Sequence, residues 1–249
     1  MNPNYRYLLA AALLGGSTAW AAHTPVISPN YGMTQYDVVK RGDAVTIDGK
    51  IDEDIWAQIP ALAGGFHYPW AAKEAPPTVF KAFSDGENLY FSFAVSDKQV
   101  LASEHWRDEN TVDGEDRVEL FFAGEPIDRP GEDGMSRYYA IEIDSQGRVH
   151  DYAIDYYRKF DSSWNLPGLE SKAELTANGY SVEGKIPLQT LQDLKLLRDG
   201  TMRTGVFRAE FSPSGGAEPL MEWISWVNPN TPQPDFHVDS AFGIFRFLP

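Results

Sequence analysis

Three glutamates, Glu119, Glu142 and Glu210, stand where apolar and polar residues alternate: Arg117-Val-Glu-Leu-Phe-Phe122, Tyr138-Tyr-Ala-Ile-Glu-Ile-Asp144 and Val206-Phe-Arg-Ala-Glu-Phe211. Two carboxylates held across a glycosidic bond can act as general acid and base, and their separation sets whether configuration is retained or inverted. The same residues also suit binding without chemistry. Sugar hydroxyls donate and accept at once, and carboxylates beside a guanidinium such as Arg208 satisfy both roles. The solvated outer face of a sheet is a third explanation of the same alternation.

Aromatic side chains would complete a sugar site, because the C–H faces of a pyranose pack flat on them. Trp56 and Trp223 fit a core. Trp106 in Glu104-His-Trp-Arg-Asp108, Trp164 in Asp161-Ser-Ser-Trp-Asn165, and the Phe236-His237 pair after Pro232-Gln-Pro-Asp235 lie in polar loop sequence where binding and packing are both open. The acidic run Asp108-Glu-Asn-Thr-Val-Asp-Gly-Glu-Asp116 has the oxygen ligands that calcium takes, but not the hand-loop spacing, since Val112 falls on an acidic position and Asp113 where glycine is needed. It reads as a solvated loop, with a calcium site of another kind still open. The five histidines show no zinc spacing, and neither a Gly-x-Ser-x-Gly elbow nor a phosphate loop occurs.

These residues need a frame. Short alternating runs recur at 44–47, 79–83, 89–95, 117–122, 137–144, 148–154, 180–186, 202–211, 221–227 and 242–247, separated by turns such as Asp85-Gly86, Asn178-Gly179 and Asp199-Gly200. That spacing predicts an all-β fold, an antiparallel β-sandwich, with short helices only at 52–58 and 188–194. Neighbouring strand residues point to opposite faces. Val118, Leu120 and Phe122, Tyr139, Ile141 and Ile143, and Phe207, Ala209 and Phe211 are therefore assigned inward. Glu119, Glu142, Arg208 and Glu210 are left to share one polar surface.

Residues 1–21 read as a signal peptide: Arg6 is their only charge, an apolar run covers 8–16, and Ala19-Trp-Ala21 fits a cleavage site. The run is too short for the roughly 20 residues of a membrane-spanning helix. Export to the periplasm or exterior is expected, with no membrane insertion afterwards. Residues 22–42 read as an arm without periodicity, and the sandwich is expected from 43 to 249. The formal charge of −15 becomes −16 without Arg6, with no basic cluster, so nucleic acid is a poor partner. The absence of cysteine removes disulfides and thiolate chemistry.

Several segments, in order, resemble family 9 carbohydrate-binding modules and their free-standing relatives. They are Ile47-Asp-Gly-Lys-Ile-Asp-Glu-Asp-Ile-Trp56, Phe80 to Phe91, Asp116-Arg-Val-Glu-Leu-Phe-Phe122, Tyr138 to Asp144, Phe207-Arg-Ala-Glu210, Ile224-Ser-Trp226, and Asp235-Phe-His-Val238 with Phe242-Gly243. The resemblance implies a jelly-roll-like sandwich supported by calcium, which grips the terminal sugar of a chain between two aromatic rings. Glu119 matches a sugar contact, and Phe236 stands in place of one sandwiching tryptophan. The other falls on Asp113, a departure from the pattern. Tyr156-Tyr-Arg-Lys-Phe-Asp-Ser-Ser-Trp164 has no counterpart; Arg158 among its aromatics suits an acidic or decorated glycan, or an ordinary anchored loop. The leading expectation is polysaccharide or oligosaccharide binding through Trp106, Glu119, Glu142, Arg158, Trp164, Arg208, Glu210, Phe236 and His237, alongside other carbohydrate-processing proteins. A carbohydrate-active enzyme using the glutamates, and a protein-interaction sandwich, are the alternatives.

Overall fold

The computed structural model describes residues 34–43, 45–62, 65–131, 134, 136–216 and 219–249. The expected signal peptide and residues 22–33 of the expected arm lie outside them. Twelve strands follow in order: β1 (Gln35–Lys40), β2 (Thr78–Ser84), β3 (Asn88–Ser96), β4 (Arg117–Ala123), β5 (Arg137–Asp144), β6 (Val149–Asp155), β7 (Lys159–Asp161), β8 (Glu170–Thr176), β9 (Gly179–Pro187), β10 (Thr201–Ser212), β11 (Leu220–Ser225) and β12 (Gly243–Phe247). Among the described residues helix is limited to α1 (Asp54–Gln58), α2 (Leu188–Asp193) and two short 3-10 turns, Glu109–Gly114 and Asp239–Ala241.

The strands run β7-β6-β5-β4-β10-β12-β1-β2-β3-β9-β8, with β11 paired to β10. The first sheet ends at β12 and the second begins at β2. Between them β1 crosses over: residues 35–38 pair with β12 and residues 39–40 with β2, both in parallel. All the other strand pairings are antiparallel. The result is the curled, jelly-roll-like sandwich expected from the sequence. The expected arm is corrected here, because Tyr36 and Val38 are buried in the core and residues 35–40 belong to the sandwich. The strand expected at 44–47 is absent among its described residues.

Between the sheets, Val118, Leu120, Phe122, Ile141, Ile143 and Val206 pack with Phe80, Phe91, Phe93 and Val182. The outer face of the first sheet is covered as well. There Phe121, Tyr138, Tyr152, Ile154 and Phe207 meet Phe236, Ala241 and Phe242 from the segment before β12. A third cluster sets Ile55, Trp56 and Ile59 on Phe83 and Tyr90. Glu183 fastens it by accepting hydrogen bonds from Trp56 Nε1 at 2.7 Å and Gly49 N at 3.2 Å. Gly49 has φ +92°, and a Cβ there would lie 2.7 Å from the Ala173 backbone, so the Ile47–Trp56 segment needs its glycine.

Candidate functional site

Register builds the site on the outer face of the first sheet. Glu119 on β4 stands opposite Glu142 on β5, which stands opposite His150 on β6. Arg117, two residues before Glu119 and therefore on the same face, brings its Nε to 3.0 Å from Glu119 Oε1 and 2.6 Å from Glu142 Oε2. Those atoms are close enough for ion pairing but are not aligned as hydrogen bonds. Tyr152 donates its hydroxyl to Glu142 Oε1 at 2.6 Å, and His150 Nδ1 lies 2.7 Å from Asp113 Oδ1. The Arg117 guanidinium also faces the Phe211 and Trp223 rings, at 5.8 and 5.5 Å.

This cluster is closed to solvent: Arg117 is 5%, Glu119 2% and Glu142 4% exposed. Burial, and then the neighbouring Glu142, push the Glu119 carboxyl well above its usual range, although Arg117 pulls the other way. Burial works against the Arg117 charge, but Glu142 and Glu119 more than compensate and keep the guanidinium protonated. Burial also lowers the His150 affinity for a proton, and the bond to Asp113 outweighs it, for a net rise. A hydrolytic pair must leave room for a sugar bond between its carboxyls. Here a guanidinium occupies that position.

Arg208 and Glu210 do not join this row, contrary to the shared polar surface expected from the sequence. Arg208 stands opposite Val118 and Phe207 opposite Glu119, so Arg208 and Glu210 point between the sheets. There Arg208 bonds Glu210, approaches Asp97 Oδ2 at 3.9 Å, and donates to Thr78 Oγ1 and Ser96 O, each at 3.1 Å. Carboxylate oxygens of Asp97, Asp116 and Glu210 lie within 4.8 Å of one another. Asp97 and Glu210 also line a 680 Å³ concavity with Lys98, Gln99 and Asn178. Asp113, Glu142 and His150 form a second such group. Both groups could hold a metal ion. The acidic loop 108–116 is thus divided, with Asp113 in one cluster and Asp116 in the other.

The expected ring at the groove mouth is also corrected. Phe236 is 6% exposed, stacked on Phe207 at a centroid distance of 4.0 Å and an angle of 11°. Its neighbour His237 is buried with it, Nδ1 being 3.0 Å from the Tyr138 hydroxyl. Burial first, and the Arg158 charge second, lower its pKa to about 3. Trp164 packs on Tyr139 at 4.5 Å, at the margin of the inter-sheet core. It therefore sits across the sheet from Glu119.

Among the described residues two aromatic sites remain open. Trp106 is 45% exposed, and Arg148 covers its ring at 5.4 Å. Phe160 and Tyr157 are each 47% exposed, and Arg158 lies over both, 5.5 and 5.9 Å from the ring centroids. Asp235 holds that rim together, accepting from the Tyr157 hydroxyl and lying 3.4 Å from Arg158 Nη1. Phe160 packs edge-on against Tyr152, which links the rim to Glu142. The sequence reading missed Arg117, Tyr152 and Phe160 as individual residues. Arg117 was accessible to it through the shared phase with Glu119; Phe160 was hidden because β7 is only three residues long.

The profile of the carbohydrate family 9 binding domain-like family matches residues 47–247. The chain belongs to that family. Family 9 is a family of binding domains, and its sandwich recurs in solved structures. A candidate carbohydrate-binding protein from Bacteroides uniformis is 17% identical with a TM-score of 0.62, covering 86% of this chain and 99% of its own. A family 9 module from Caldicellulosiruptor kristjanssonii in complex with cellotriose is 20% identical, TM-score 0.56, covering 86% and 93%. The module from the same organism in complex with glucose is also 20% identical, TM-score 0.55, covering 86% and 95%. No curated protein matches the chain. Neither position that the resemblance assigns to a sandwiching ring presents an open one here: Asp113 bonds His150, and Phe236 is buried.

Proposed function

We propose that this family 9 protein binds a carbohydrate without transforming it, on the outer face of its first sheet, and that the Tyr157–Phe160 rim is the contact. The observation that carries this is the pair of exposed rings at Tyr157 and Phe160 beside the half-buried Arg158, next to a sealed cluster that holds Tyr152 in place. A pyranose face packs on Phe160, and Arg158 donates to its hydroxyls. Glu119 and Glu142 support the platform from below, ion-paired with Arg117. The test is a glycan array followed by calorimetry. Phe160→Ala should weaken binding by about 0.5–1.5 kcal/mol beyond the lost contact area, with little change in melting temperature. Undiminished affinity in that variant would place the sugar elsewhere.

Asp97, Asp116 and Glu210 are the residues that would hold calcium. Their donors are all oxygens, as that ion requires, and three carboxylates outnumber the single guanidinium of Arg208. The family, together with residues 1–21, supports export to the periplasm or exterior; the mass of the protein recovered from that compartment should begin at Ala22. Among the described residues no helix is long and apolar enough to cross a membrane.

A further inference from the structure

We infer that the protein binds the interior of an extended glycan chain, laid along β6 from Phe160 to Trp106, rather than a chain end. This rests on the carbohydrate-binding reading above and adds the form of the ligand. Strand phase puts Arg148, His150, Tyr152 and Ile154 on one face. At one end of that row Phe160 stands opposite Ile154 in register and packs on Tyr152. At the other end Trp106 lies over Arg148. Arg148 is itself fixed by Asp144 at 2.5 Å, by Ser103 O at 3.0 Å and by Glu115. Each platform is therefore an exposed ring with a guanidinium beside it. Arg148 is held by groups of its own and Arg158 by Asp235, so neither depends on a ligand for its position.

Six residues separate positions 148 and 154, a span of roughly 20 Å at the usual strand rise. A single pyranose cannot touch both platforms; several linked ones can. The ground between them is polar. The 3-10 turn Glu109–Gly114 lies over β6, presenting the exposed Asn110 and the carboxylate of Asp113, whose side chain is 37% exposed while bonded to His150. A chain passing over it meets an amide and a carboxylate for its hydroxyls between two rings for its apolar faces. A chain-end clamp needs two rings facing each other across one sugar; Phe236, which stands at one of the two expected positions, is packed under Trp70 and Trp223, and Asp113, at the other, bonds His150.

The experiment uses purified oligosaccharides from dimer to octamer, cello-oligosaccharides first and then the ladder of whichever polysaccharide binds on the array. Each is titrated natively and after borohydride reduction of its end. Affinity should rise about tenfold or more from dimer to hexamer as the second platform is reached. Reduction should leave hexamer affinity unchanged. Trp106→Ala should weaken the hexamer and leave the dimer as it was, whereas Phe160→Ala should weaken both. A dimer that binds as tightly as the hexamer, or loss of binding on reduction, overturns the extended mode while leaving carbohydrate binding intact. If no glycan of any length binds, the underlying reading fails with it.

Discussion

Arg117 decides what the two central glutamates can do. One guanidinium serves two carboxylates in a site closed to water, so the consequences of removing each partner are unequal. Arg117→Ala leaves the buried Glu119–Glu142 pair with no cation, and breaking a buried pair in this way costs about 3–5 kcal/mol. Glu119→Gln replaces a carboxyl that burial and Glu142 already push towards its neutral form and leaves a one-to-one pair of Arg117 with Glu142. Its cost should stay below about 1.5 kcal/mol, the scale of one ordinary hydrogen bond, with ligand affinity nearly unchanged. Urea unfolding of both variants, with calorimetry on Glu119→Gln, measures the difference. Equal destabilisation would mean that Glu119 carries more of the cluster than its pairing suggests, and a large affinity loss at Glu119 would reopen it as a sugar contact. The outward phase of Glu119 was legible in the sequence. What hid its role was that a face can point away from the main core and still be buried, under aromatics contributed from 80 or more residues further along the chain.

At the scale of elements, β1 matters most. It lies between β12 and β2 and is the strand through which the two sheets join. Removing it would expose the pairing edges of both neighbours and the apolar surface under Tyr36 and Val38. A chain beginning at Asp43 should therefore aggregate or melt far below one beginning at Thr34, as differential scanning calorimetry and light scattering would read. Equal melting of the two would show that β12 and β2 close the sandwich without it. In the sequence β1 shows only Tyr36, Val38 and Val39 as apolar positions, too few to stand out from a Pro- and Gly-containing stretch. The phase of β10 was misread for a different reason. Val206, Phe207, Ala209 and Phe211 put apolar residues on both faces, because one face meets the second sheet and the other meets Phe236. Alternation carries no sign when both sides are covered. The long central strands, whose positions survive such errors, were readable; the edge strand β8, mostly exposed, sets only Ala173 and the exposed Leu175 opposite its charges, too little apolar surface to stand out.

For the whole molecule, acidity and burial act together. Glu183 sits at about 7, raised first by burial despite the bond from Trp56. Burial is likewise the leading cause that lifts Glu115, Asp116 and Glu119, with nearby carboxylates adding to it. An unfolded chain returns these groups to roughly 4. Between there and their folded values the native protein holds more protons than the unfolded one, so stability is complete at the acid end of the window and is lost as pH rises through the folded pKa values. His237 and His67 oppose this, being held neutral by burial, but their contribution is lost only as pH falls below about 6.5, the unfolded histidine value. From pH 6.5 to 8 the carboxyls therefore act together with His150, whose folded pKa is also raised and whose stabilisation is lost in the same direction, and the excess negative charge of the chain adds to the strain. The melting temperature should fall across that interval. Calcium should lessen the fall, because a cation between Asp97, Asp116 and Glu210 replaces the proton that Asp116 gives up, and binding to the native state alone raises stability by mass action. Asp97→Asn should weaken that calcium response while keeping most of the pH slope. Calorimetric melts at pH 6.5 and 8, with calcium and with chelator, read all of these effects. A melting temperature that climbs toward pH 8 in chelator would mean that the buried carboxyls are stabilised as anions, and that the guanidiniums of Arg117, Arg148 and Arg208 outweigh their burial.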